Sequence, residues 1–312
     1  MDKKVFVIFN TTSIGDVLVT NTLVQNIKYY YPDSFVVFVC NTPTYDVAKY
    51  QEGVDDVITY EKKNCKNIFD ILNFTRKFPY KRPFASIVTY SNERNLLISR
   101  LIGSHHVISH HKFPLWNTKE KYKLNSYRHI KDQWGGLIEP LTGEHQNLPI
   151  KYLPPEVNSP VTEKIKSLKN PVPISTTSNF ERKDMKIDDC IELINLLNKD
   201  GFTPVMTGAG EIARKYNAKL RKAGCFDFVD IVDCTSFAEL AHILKICGCC
   251  ISVDTGTMHF ANALLVPVVE IFYAGSYSMW ASDPTLYPSI VLKNAMPQEI
   301  MSAFKELTGV CV

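Results

Sequence analysis

Short apolar segments alternate with amphipathic ones along most of this chain. Residues 5–9 form the first apolar run, a polar loop follows at 10–15, and helical periodicity then continues to about Tyr31. Pro32-Asp33-Ser34 breaks that helix, and a second apolar run begins at Phe35. Strands that alternate with helices predict right-handed crossovers and a parallel sheet covered by helices on both faces.

The same alternation resumes in the second half of the chain. The predicted strands are residues 5–9, 35–40, 54–60, 85–90, 106–110, 172–175, 203–207, 228–232, 250–253 and 268–272. The predicted helices of the second half are residues 187–199, 211–223, 237–246, 258–264 and 297–307.

A polar stretch separates the two halves of this pattern. Residues 112–146 lack strand periodicity and contain one predicted helix at 127–138, and a proline-rich sequence follows at 153–155. The length of 312 residues suits two domains of about 150 residues each. We therefore predict two doubly wound α/β domains, residues 1–158 and 159–312, that face a cleft.

Composition and charge narrow the class of protein. Hydrophobic residues make up 45% of the chain and charged residues 21%, which is a globular composition, and the net charge is only +3. This balance does not favour a nucleic-acid binder, so an anionic partner would have to meet a local basic patch. No apolar run approaches the roughly 18 residues that span a membrane, and the N-terminal apolar run is too short for a signal peptide, so we expect a cytoplasmic protein. The nine cysteines are irregularly spaced, which favours buried thiols over disulfides or a metal site.

The loop after the first strand is the first candidate site, because ligands of open α/β sheets bind beyond the carboxyl ends of the strands. It reads Ser13-Ile14-Gly15-Asp16. We expect Gly15 to allow a tight turn and Asp16 to fall in the first turn of the helix. Asp16 is then either a functional carboxylate or simply a favourable charge at a helix N-terminus. The loop is not a P-loop, because no Gly-Lys-Ser/Thr follows.

A second candidate loop reads Ser252-Val253-Asp254-Thr255-Gly256-Thr257-Met258-His259 and also joins a strand to a helix. Small residues at a helix N-terminus leave backbone N–H groups free to hold a phosphate. The plainer interpretation is that Asp254 or Thr255 caps a core helix. The combination Asp-Thr-Gly-x-x-His is more specific than a cap requires.

A third loop, Gly208-Ala209-Gly210-Glu211, has a G-x-G-x-x-A pattern when extended to Ala213. It lies in the middle of the second half rather than at its start, so it indicates a dinucleotide fold only weakly. We interpret the glycines as a tight turn and Glu211 as a candidate ribose ligand.

Basic residues follow the third strand. One cluster contains Lys62, Lys63 and Lys66. Such a run is either a solvated face or a surface that meets an anionic substrate. A second group lies just beyond, and its interleaved aromatic residues suit a membrane interface. This second group comprises Arg76, Lys77, Phe78, Tyr80, Lys81, Arg82 and Phe84.

Several chemistries lack their sequence signatures. The chain contains no Asp-x-Asp, HExxH, G-x-S-x-G or kinase motif. We therefore expect neither a metal held by paired aspartates nor any other cofactor, and we expect chelators to leave the activity mostly unchanged.

Two of these motifs resemble glycosyltransferase family 9, the ADP-heptose:lipopolysaccharide heptosyltransferases. Ser13-Ile14-Gly15-Asp16, with Thr20 downstream, resembles the S-x-G-D opening of that family. The 252–261 block, preceded by Thr235-Ser236 and Glu239-Leu240, resembles its donor site. The resemblance spans both halves of the chain in the right order. It implies a GT-B fold of two Rossmann-like domains, with the acceptor bound by residues 1–158, the nucleotide sugar by 159–312, and a last helix that commonly returns to the first domain.

The resemblance also assigns roles to individual residues. Asp16 matches the proposed catalytic base. Lys183 matches the lysine that meets the donor phosphates, although Lys183-Asp184-Met185-Lys186 replaces the family's Lys-x-Trp-Pro and Arg182 is an alternative. The other residues that match the donor site are Thr176, Thr177, Glu211, Asp254, Thr255, Gly256 and His259. The residues that match the acceptor side are Ser13, Gly15, Lys62, Lys63 and Lys66.

The function implied is an inverting, metal-independent transfer of a heptose or related sugar. The donor would be a nucleotide diphosphate sugar, with ADP-heptose first, and the acceptor a lipopolysaccharide core or related anionic glycan, reached at the cytoplasmic face of the inner membrane. The family's Gly-Pro-Thr turn is replaced here by Tyr273-Ala274-Gly275-Ser276, which leaves the donor open. The alternatives are a GT-B transferase that uses another nucleotide sugar for capsule, protein or small-molecule glycosylation, a sugar-nucleotide epimerase, and a catalytically idle scaffold.

Overall fold

The computed structural model describes residues 3–61, 63, 65–90, 92–110, 120–121, 129–275 and 277–309. The chain divides into two units, Met1–Leu153 and Pro154–Val312. Each unit is built on one six-stranded sheet in which every pair of neighbouring strands is parallel. The α/β fold class predicted from the alternating pattern is therefore confirmed.

The first unit contains six strands and seven helices among the described residues. The strands are β1 (Val5–Phe9), β2 (Phe35–Cys40), β3 (Asp56–Thr59), β4 (Ala85–Val88), β5 (His106–Ser109) and β6 (Glu120–Lys121). The helices are α1 (Ile14–Val19), α2 (Asn21–Tyr30), α3 (Tyr45–Lys49), α4 (Ile68–Lys77), α5 (Glu93–Leu101), α6 (Ile130–Gly135) and α7 (Glu139–Thr142).

The second unit contains six strands and seven helices in its described part. The strands are β7 (Pro171–Ser175), β8 (Thr203–Met206), β9 (Val229–Asp230), β10 (Cys250–Val253), β11 (Val268–Phe272) and β12 (Ser289–Lys293). The helices are α8 (Pro160–Lys166), α9 (Ile187–Lys199), α10 (Gly210–Lys222), α11 (Phe237–Cys247), α12 (Gly256–Ala263), α13 (Tyr277–Trp280) and α14 (Pro297–Thr308). α14 packs within this unit, against α9, β11 and β12.

Both sheets have the same strand order. The first is β3-β2-β1-β4-β5-β6, and the second, from its opposite edge, is β9-β8-β7-β10-β11-β12. This is the strand order of a Rossmann sheet. The order in which the chain adds strands reverses between β1 and β4 in the first sheet and between β7 and β10 in the second. Every residue of β4, β10 and β11 is buried, as expected for parallel strands covered on both faces. The reversal points are where each unit can hold a ligand.

The structure differs from the predicted elements mainly in one helix that is divided in two and at the edges of the sheets. The helix predicted to end near Tyr31 is two helices that meet at Thr20. The strand predicted at 228–232 shortens to Val229–Asp230, and the edge strand β12 was not predicted. β12 is half-buried and carries only three consecutive apolar residues, so it lacks the long apolar run of a central strand. Within the helix predicted at 127–138, residues 127–128 lie outside the described residues.

The aromatic residues near the second basic group do not form a membrane interface, so that prediction is wrong. Phe78 is 3% exposed and belongs to the core of the first unit, and Tyr80 packs against that core while its hydroxyl donates to Asp56 Oδ2 at 2.6 Å. The Phe84 ring lies 5.3 Å from Phe6. Phe78 is buried and Tyr80 and Phe84 are half-buried, because the segment leads directly into β4, a central strand of the sheet.

Most of the cysteines that the structure describes are buried, as the sequence predicted, whereas Cys234 is exposed and Cys247 is half-buried. Cys40, Cys190, Cys249 and Cys250 are buried, and no disulfide links the cysteines that the structure describes. Burial raises the pKa of Cys40 to about 11 and that of Cys249 to about 12. These thiols remain protonated and unreactive at neutral pH.

Candidate functional site

Asp16 lies at the reversal point of the first sheet, in the first turn of α1. Its carboxylate accepts two hydrogen bonds, from Ser13 Oγ at 2.6 Å to Oδ2 and from Tyr90 OH at 2.8 Å to Oδ1. Ser13 is the N-cap residue of α1, yet its hydroxyl bonds to this carboxylate rather than to a backbone N–H of the helix. Asp16 is half-buried, so it is held in place and remains within reach of a substrate.

The backbone of Asp16 is also fixed. Its carbonyl oxygen accepts from Thr20 Oγ1 at 2.7 Å and from Asn10 Nδ2 at 3.2 Å, and Asn10 Nδ2 donates to Thr20 Oγ1 at 2.7 Å. Asn10 is fully buried at the end of β1. Gly15 is helical and its φ is not positive, so the expected tight turn at Gly15 is wrong. The hydrogen bonds of Asn10 and Thr20 hold the conformation of the loop instead.

Tyr90 is a site residue that the sequence did not identify. It follows β4, the strand next to β1, and its ring lies 5.0 Å from that of Trp134. Burial, with the nearby Asp16 carboxylate, raises the pKa of Tyr90 far above its usual range. Tyr90 therefore stays protonated and donates to Asp16. Parallel strands that are neighbours in the sheet bring Tyr90 and Asp16 together, although 74 positions separate them in the chain.

The basic cluster lies partly outside the described residues. Lys62 falls there, whereas Lys63 and Lys66 are exposed between β3 and α4. The Lys66 backbone N–H donates to Asp70 Oδ2 at 3.0 Å, beside the N-cap residue Asn67 of α4. The side chains of Lys63 and Lys66 are thus open to an anionic ligand.

Lys183 and Asp254 meet at the reversal point of the second sheet. Lys183 Nζ donates to Asp254 Oδ2 at 2.6 Å, and the two side chains are 16% and 5% exposed. Lys183 follows β7 and Asp254 comes directly after β10, so neighbouring strands bring them together. A cation held at this edge and little exposed to water can stabilise negative charge on a ligand more strongly than a solvated one.

The N-terminus of α12 begins next to this ion pair. Thr255 occupies the N-cap position in extended backbone, but its side chain makes no capping hydrogen bond. Thr255 thus occupies the N-cap position that the plainer interpretation allowed, but without its hydrogen bond, and Asp254 Oδ2 accepts from Lys183. Gly256 is the first helical residue and has no positive φ. The first backbone N–H groups of α12 therefore form a site that suits a phosphate.

Gly275 provides the space for the ion pair. It has a φ of +99°, and a Cβ at this position would lie 3.2 Å from Lys183 Cε and 3.6 Å from Asp254 Oδ2. This residue follows β11, where the sequence departs from the Gly-Pro-Thr turn of the family it resembles. Only glycine combines this backbone conformation with such a close approach.

The loop between β7 and α9 carries the other residues expected to bind the donor. Thr176 is buried and its carbonyl accepts from Met185 N at 3.0 Å, whereas Thr177 is half-buried. Arg182 is exposed. Phe180 is exposed beside these residues, and its ring centroid lies 5.6 Å from Lys183 Nζ. The structure therefore places Lys183, rather than Arg182, in the polar site.

Glu211 lies in the first turn of α10, on the solvent-exposed surface of that helix. Its carboxylate pairs with Lys215 Nζ at 2.6 Å, and both side chains are largely exposed. The hydrogen bond from Lys215, and then the positive charge of Lys215, lower the pKa of Glu211. Gly208 and Gly210 have φ of +147° and +84°, which is the tight turn expected at this loop. None of the described contacts joins Glu211 to the Lys183–Asp254 pair.

His259 is buried within α12, and its ring centroid lies 5.7 Å from that of Trp280. Glu270, in β11, forms a hydrogen bond with the same helix. Its carboxylate accepts from Asn262 Nδ2 at 2.8 Å and from the Ser282 backbone N–H at 3.0 Å. Glu270 thus ties α12 to the segment after α13.

We expect Glu270→Gln to remove a pH dependence from folding stability. Burial raises the pKa of Glu270 above that of the unfolded chain. The buried carboxyl therefore favours the fold most at low pH, and this contribution is lost as pH rises from the ordinary carboxyl range through the raised pKa. The loss amounts to about 1.4 kcal/mol for each unit by which the pKa is raised.

Denaturant unfolding at a series of pH values between acid and neutral checks this. The free energy of unfolding of the unmodified protein should fall relative to that of Glu270→Gln as the pH rises. Glu156→Gln, at an exposed position, is the control and should follow the unmodified protein. Parallel curves for Glu270→Gln and the unmodified protein would contradict the assignment.

Comparison with known families decides the class of this protein. Residues 98–295, more than half of the chain, match the sequence profile of glycosyltransferase family 9 (heptosyltransferase). The chain belongs to glycosyltransferase family 9. It is therefore a glycosyltransferase, as its motifs predicted. Among curated protein sequences, none matches the chain closely enough to count as a relative.

Solved structures of family 9 glycosyltransferases share the fold along nearly the whole chain. A family 9 glycosyltransferase from Veillonella parvula has 17% identity and a TM-score of 0.84, covering 98% of each chain. The E. coli ADP-heptose lipopolysaccharide heptosyltransferase II has 16% identity and a TM-score of 0.75, covering 97% of this chain and 98% of its own. E. coli heptosyltransferase WaaC, solved with ADP, has 15% identity and a TM-score of 0.75, covering 97% and 99%. The predicted GT-B fold class of two parallel-sheet α/β domains is confirmed.

The described residues contain no cluster of three or more histidine, cysteine, aspartate or glutamate side chains that could hold a metal ion. Within the same residues, no helix has both the length and the apolar character needed to cross a bilayer.

Proposed function

We propose that this family 9 glycosyltransferase moves a heptose or a related sugar from a nucleotide diphosphate donor to an anionic glycan or glycolipid, with inversion at the anomeric carbon. ADP-heptose is the first candidate donor and a lipopolysaccharide core the first candidate acceptor. The observation that carries the proposal is the Lys183–Asp254 pair beside the uncapped N-terminus of α12. A lysine and free backbone N–H groups together suit a diphosphate.

The proposed reaction is a single displacement. The acceptor hydroxyl oxygen attacks the anomeric carbon, its proton passes to the Asp16 carboxylate, and the bond from that carbon to the diphosphate oxygen breaks. A hydroxyl is a poor nucleophile at neutral pH, so a positioned base accelerates the attack. The departing diphosphate gains negative charge, which Lys183 and the α12 N-terminus stabilise without a metal.

The remaining donor-site residues have supporting roles. We infer that Asp254 positions Lys183 and contacts the sugar, that Thr255 and Gly256 present backbone N–H groups, and that Thr176, Thr177 and His259 line the site. Glu211 is proposed as the ribose ligand, which requires it to leave Lys215. That exchange costs little, because an exposed ion pair contributes little to stability.

Turnover of a panel of nucleotide sugars, each with and without an acceptor, tests this function. The expected result is acceptor-dependent release of ADP from ADP-heptose, with a product of inverted anomeric configuration. Faster turnover of another nucleotide sugar would favour the alternative transferase, an interpretation supported by Gly275 in place of the usual turn. No turnover of any donor, with no nucleotide binding, would favour an idle scaffold.

The basic cluster gives a separate prediction about the acceptor. We expect replacement of Lys62, Lys63 and Lys66 together by alanine to raise the acceptor KM about tenfold or more while leaving the donor KM nearly unchanged. The acceptor KM of the unmodified protein should also rise with salt, because exposed charges are screened over about 8 Å at physiological ionic strength.

Steady-state kinetics over a range of salt concentrations measure both effects. Replacement of Lys164, Lys166 and Lys169 is the control, because these lysines are near the start of the second unit and outside the proposed site. Acceptor kinetics of the cluster variant that equal those of the control at every salt concentration would show that the cluster is only a solvated face.

A further inference from the structure

Helix α4 exposes apolar side chains to solvent. Phe69 is 77% exposed, Ile68 48% and Leu72 38%, whereas Ile71 and Thr75 of the same helix are buried. Phe69 and Leu72 are three positions apart and therefore lie together on the outer face of α4. The buried face alone accounts for the packing of the helix, so the fold does not require an apolar outer face.

Cations lie at both ends of this apolar face. Lys63 and Lys66 precede the helix and are exposed, and Arg76 and Lys77 are exposed in its last turn. Arg76 and Lys77 suit the negative end of the helix dipole. Lys63 and Lys66 lie near the positive end, where a cation is unfavourable, so helix stability does not explain them. The α4 surface is defined here as Ile68, Phe69, Leu72, Lys63, Lys66 and Arg76.

The acidic residue of this helix does not offset the cations on the outer face. Asp70 Oδ2 accepts from the backbone N–H groups of Lys66 at 3.0 Å and Asn67 at 3.3 Å, as part of the capping box. Its charge is therefore directed at the helix N-terminus. The α4 surface combines apolar side chains with flanking positive charge, the pattern of a helix that lies in a lipid headgroup region.

We propose that the α4 surface docks on an anionic lipid bilayer, with Phe69 and Leu72 inserted between headgroups and Lys63, Lys66 and Arg76 on lipid phosphates. The choice of a bilayer rests on the proposed function, in which the acceptor is a glycolipid. The lysines of the acceptor cluster then border the membrane, so a lipid-anchored acceptor is engaged without leaving the bilayer.

A second copy of the chain fits this surface less well. Two α4 surfaces packed on each other would bring like charges together. Three apolar side chains also fall far short of the roughly 20–30 residues that each partner contributes to a stable protein interface. An anionic bilayer matches both the apolar and the charged parts of the surface.

Cosedimentation of the full chain with lipid vesicles tests the proposal. The probes are vesicles of phosphatidylglycerol with phosphatidylethanolamine, and vesicles of phosphatidylcholine alone. We expect the unmodified protein to bind the anionic vesicles, and Phe69→Ser with Leu72→Ser to lower the partition coefficient about tenfold or more. Lys63→Ala with Lys66→Ala should lower it about tenfold on anionic vesicles and hardly at all on phosphatidylcholine.

The matched control is Phe226→Ser, which removes a phenylalanine that is 66% exposed in the second unit. It should bind vesicles like the unmodified protein, and all variants should have unchanged circular dichroism and sedimentation. Binding of the Phe69/Leu72 variant equal to that of the control would overturn the proposal. So would a dimer of the unmodified protein that this variant converts to a monomer, because the surface would then join two copies. Vesicle binding needs no donor sugar, so a failure of the proposed transfer reaction would leave this result readable on its own.

Discussion

Replacement of Asp16 by asparagine is expected to lower the rate of sugar transfer about 10²- to 10⁴-fold, the range typical of a lost general base. Asparagine keeps the size of the side chain. Ser13 and Tyr90 donate to the two different oxygens of Asp16, at 2.6 and 2.8 Å. The single carbonyl oxygen of asparagine can accept from one of these hydroxyls, while its amide group donates to the other hydroxyl oxygen. Asparagine cannot take up the proton of the acceptor hydroxyl. The effect should therefore appear in kcat, with ADP affinity nearly unchanged.

Steady-state kinetics, together with titration of ADP, measure these two quantities. Tyr90→Phe is the matched variant, because it removes one hydrogen bond to Asp16 and keeps the carboxylate. We expect its kcat to fall by about tenfold at most. A hydrogen bond to a charged group contributes about 1.5–3 kcal/mol to stability, and only part of this energy should appear in the activation barrier. Turnover of Asp16→Asn close to that of the unmodified protein would remove Asp16 from the role of base.

The second large effect is expected for Lys183→Met. Loss of this cation should lower kcat about 10²- to 10³-fold, the range typical for removal of one charge-stabilising group from an active site. ADP affinity should fall as well, because Asp254, only 5% exposed, is left as an unpaired negative charge beside the diphosphate. The free energy of unfolding should fall by about 2 kcal/mol for the same reason.

Two further variants separate these causes. Lys183→Met combined with Asp254→Asn removes the unpaired charge, so it should recover much of the stability lost but little of the activity. Arg182→Met is the matched control, because Arg182 is the neighbouring cation and is exposed. Arg182→Met should have only a small effect on kcat and on ADP affinity. A larger loss of ADP affinity in Arg182→Met than in Lys183→Met would identify Arg182 as the phosphate ligand.

The sequence singled out the two candidate loops because the relevant signals are local. Asp16 and Asp254 each follow an apolar run, and the end of a strand can be recognised from a few consecutive residues. The Lys183 assignment depended on a resemblance in which two flanking residues differ. The structure supports Lys183 over Arg182 because only Lys183 reaches Asp254.

Errors arose where burial decides the role of a side chain. Phe78 and Tyr80 follow basic residues and were expected at a membrane interface, but Phe78 belongs to the core and the half-buried Tyr80 packs against it. Phe69 and Leu72, by contrast, are exposed, because they belong to a helix whose buried face is supplied by other residues. Helical spacing alone does not say which apolar face of a helix meets the sheet.

By itself, the sequence determined the class of fold and the family, and it singled out the candidate loops, because the spacing of apolar residues and short motifs are properties of neighbouring residues. Only the tertiary structure decided which side chains meet. Lys183 and Asp254 are 71 positions apart, and Asp16 and Tyr90 are 74 apart. Both pairs form because β7 lies beside β10, and β1 beside β4, at the points where the strand order reverses. That adjacency is a property of the whole sheet, set by the packing of all its strands and helices, and no local stretch of sequence contains it.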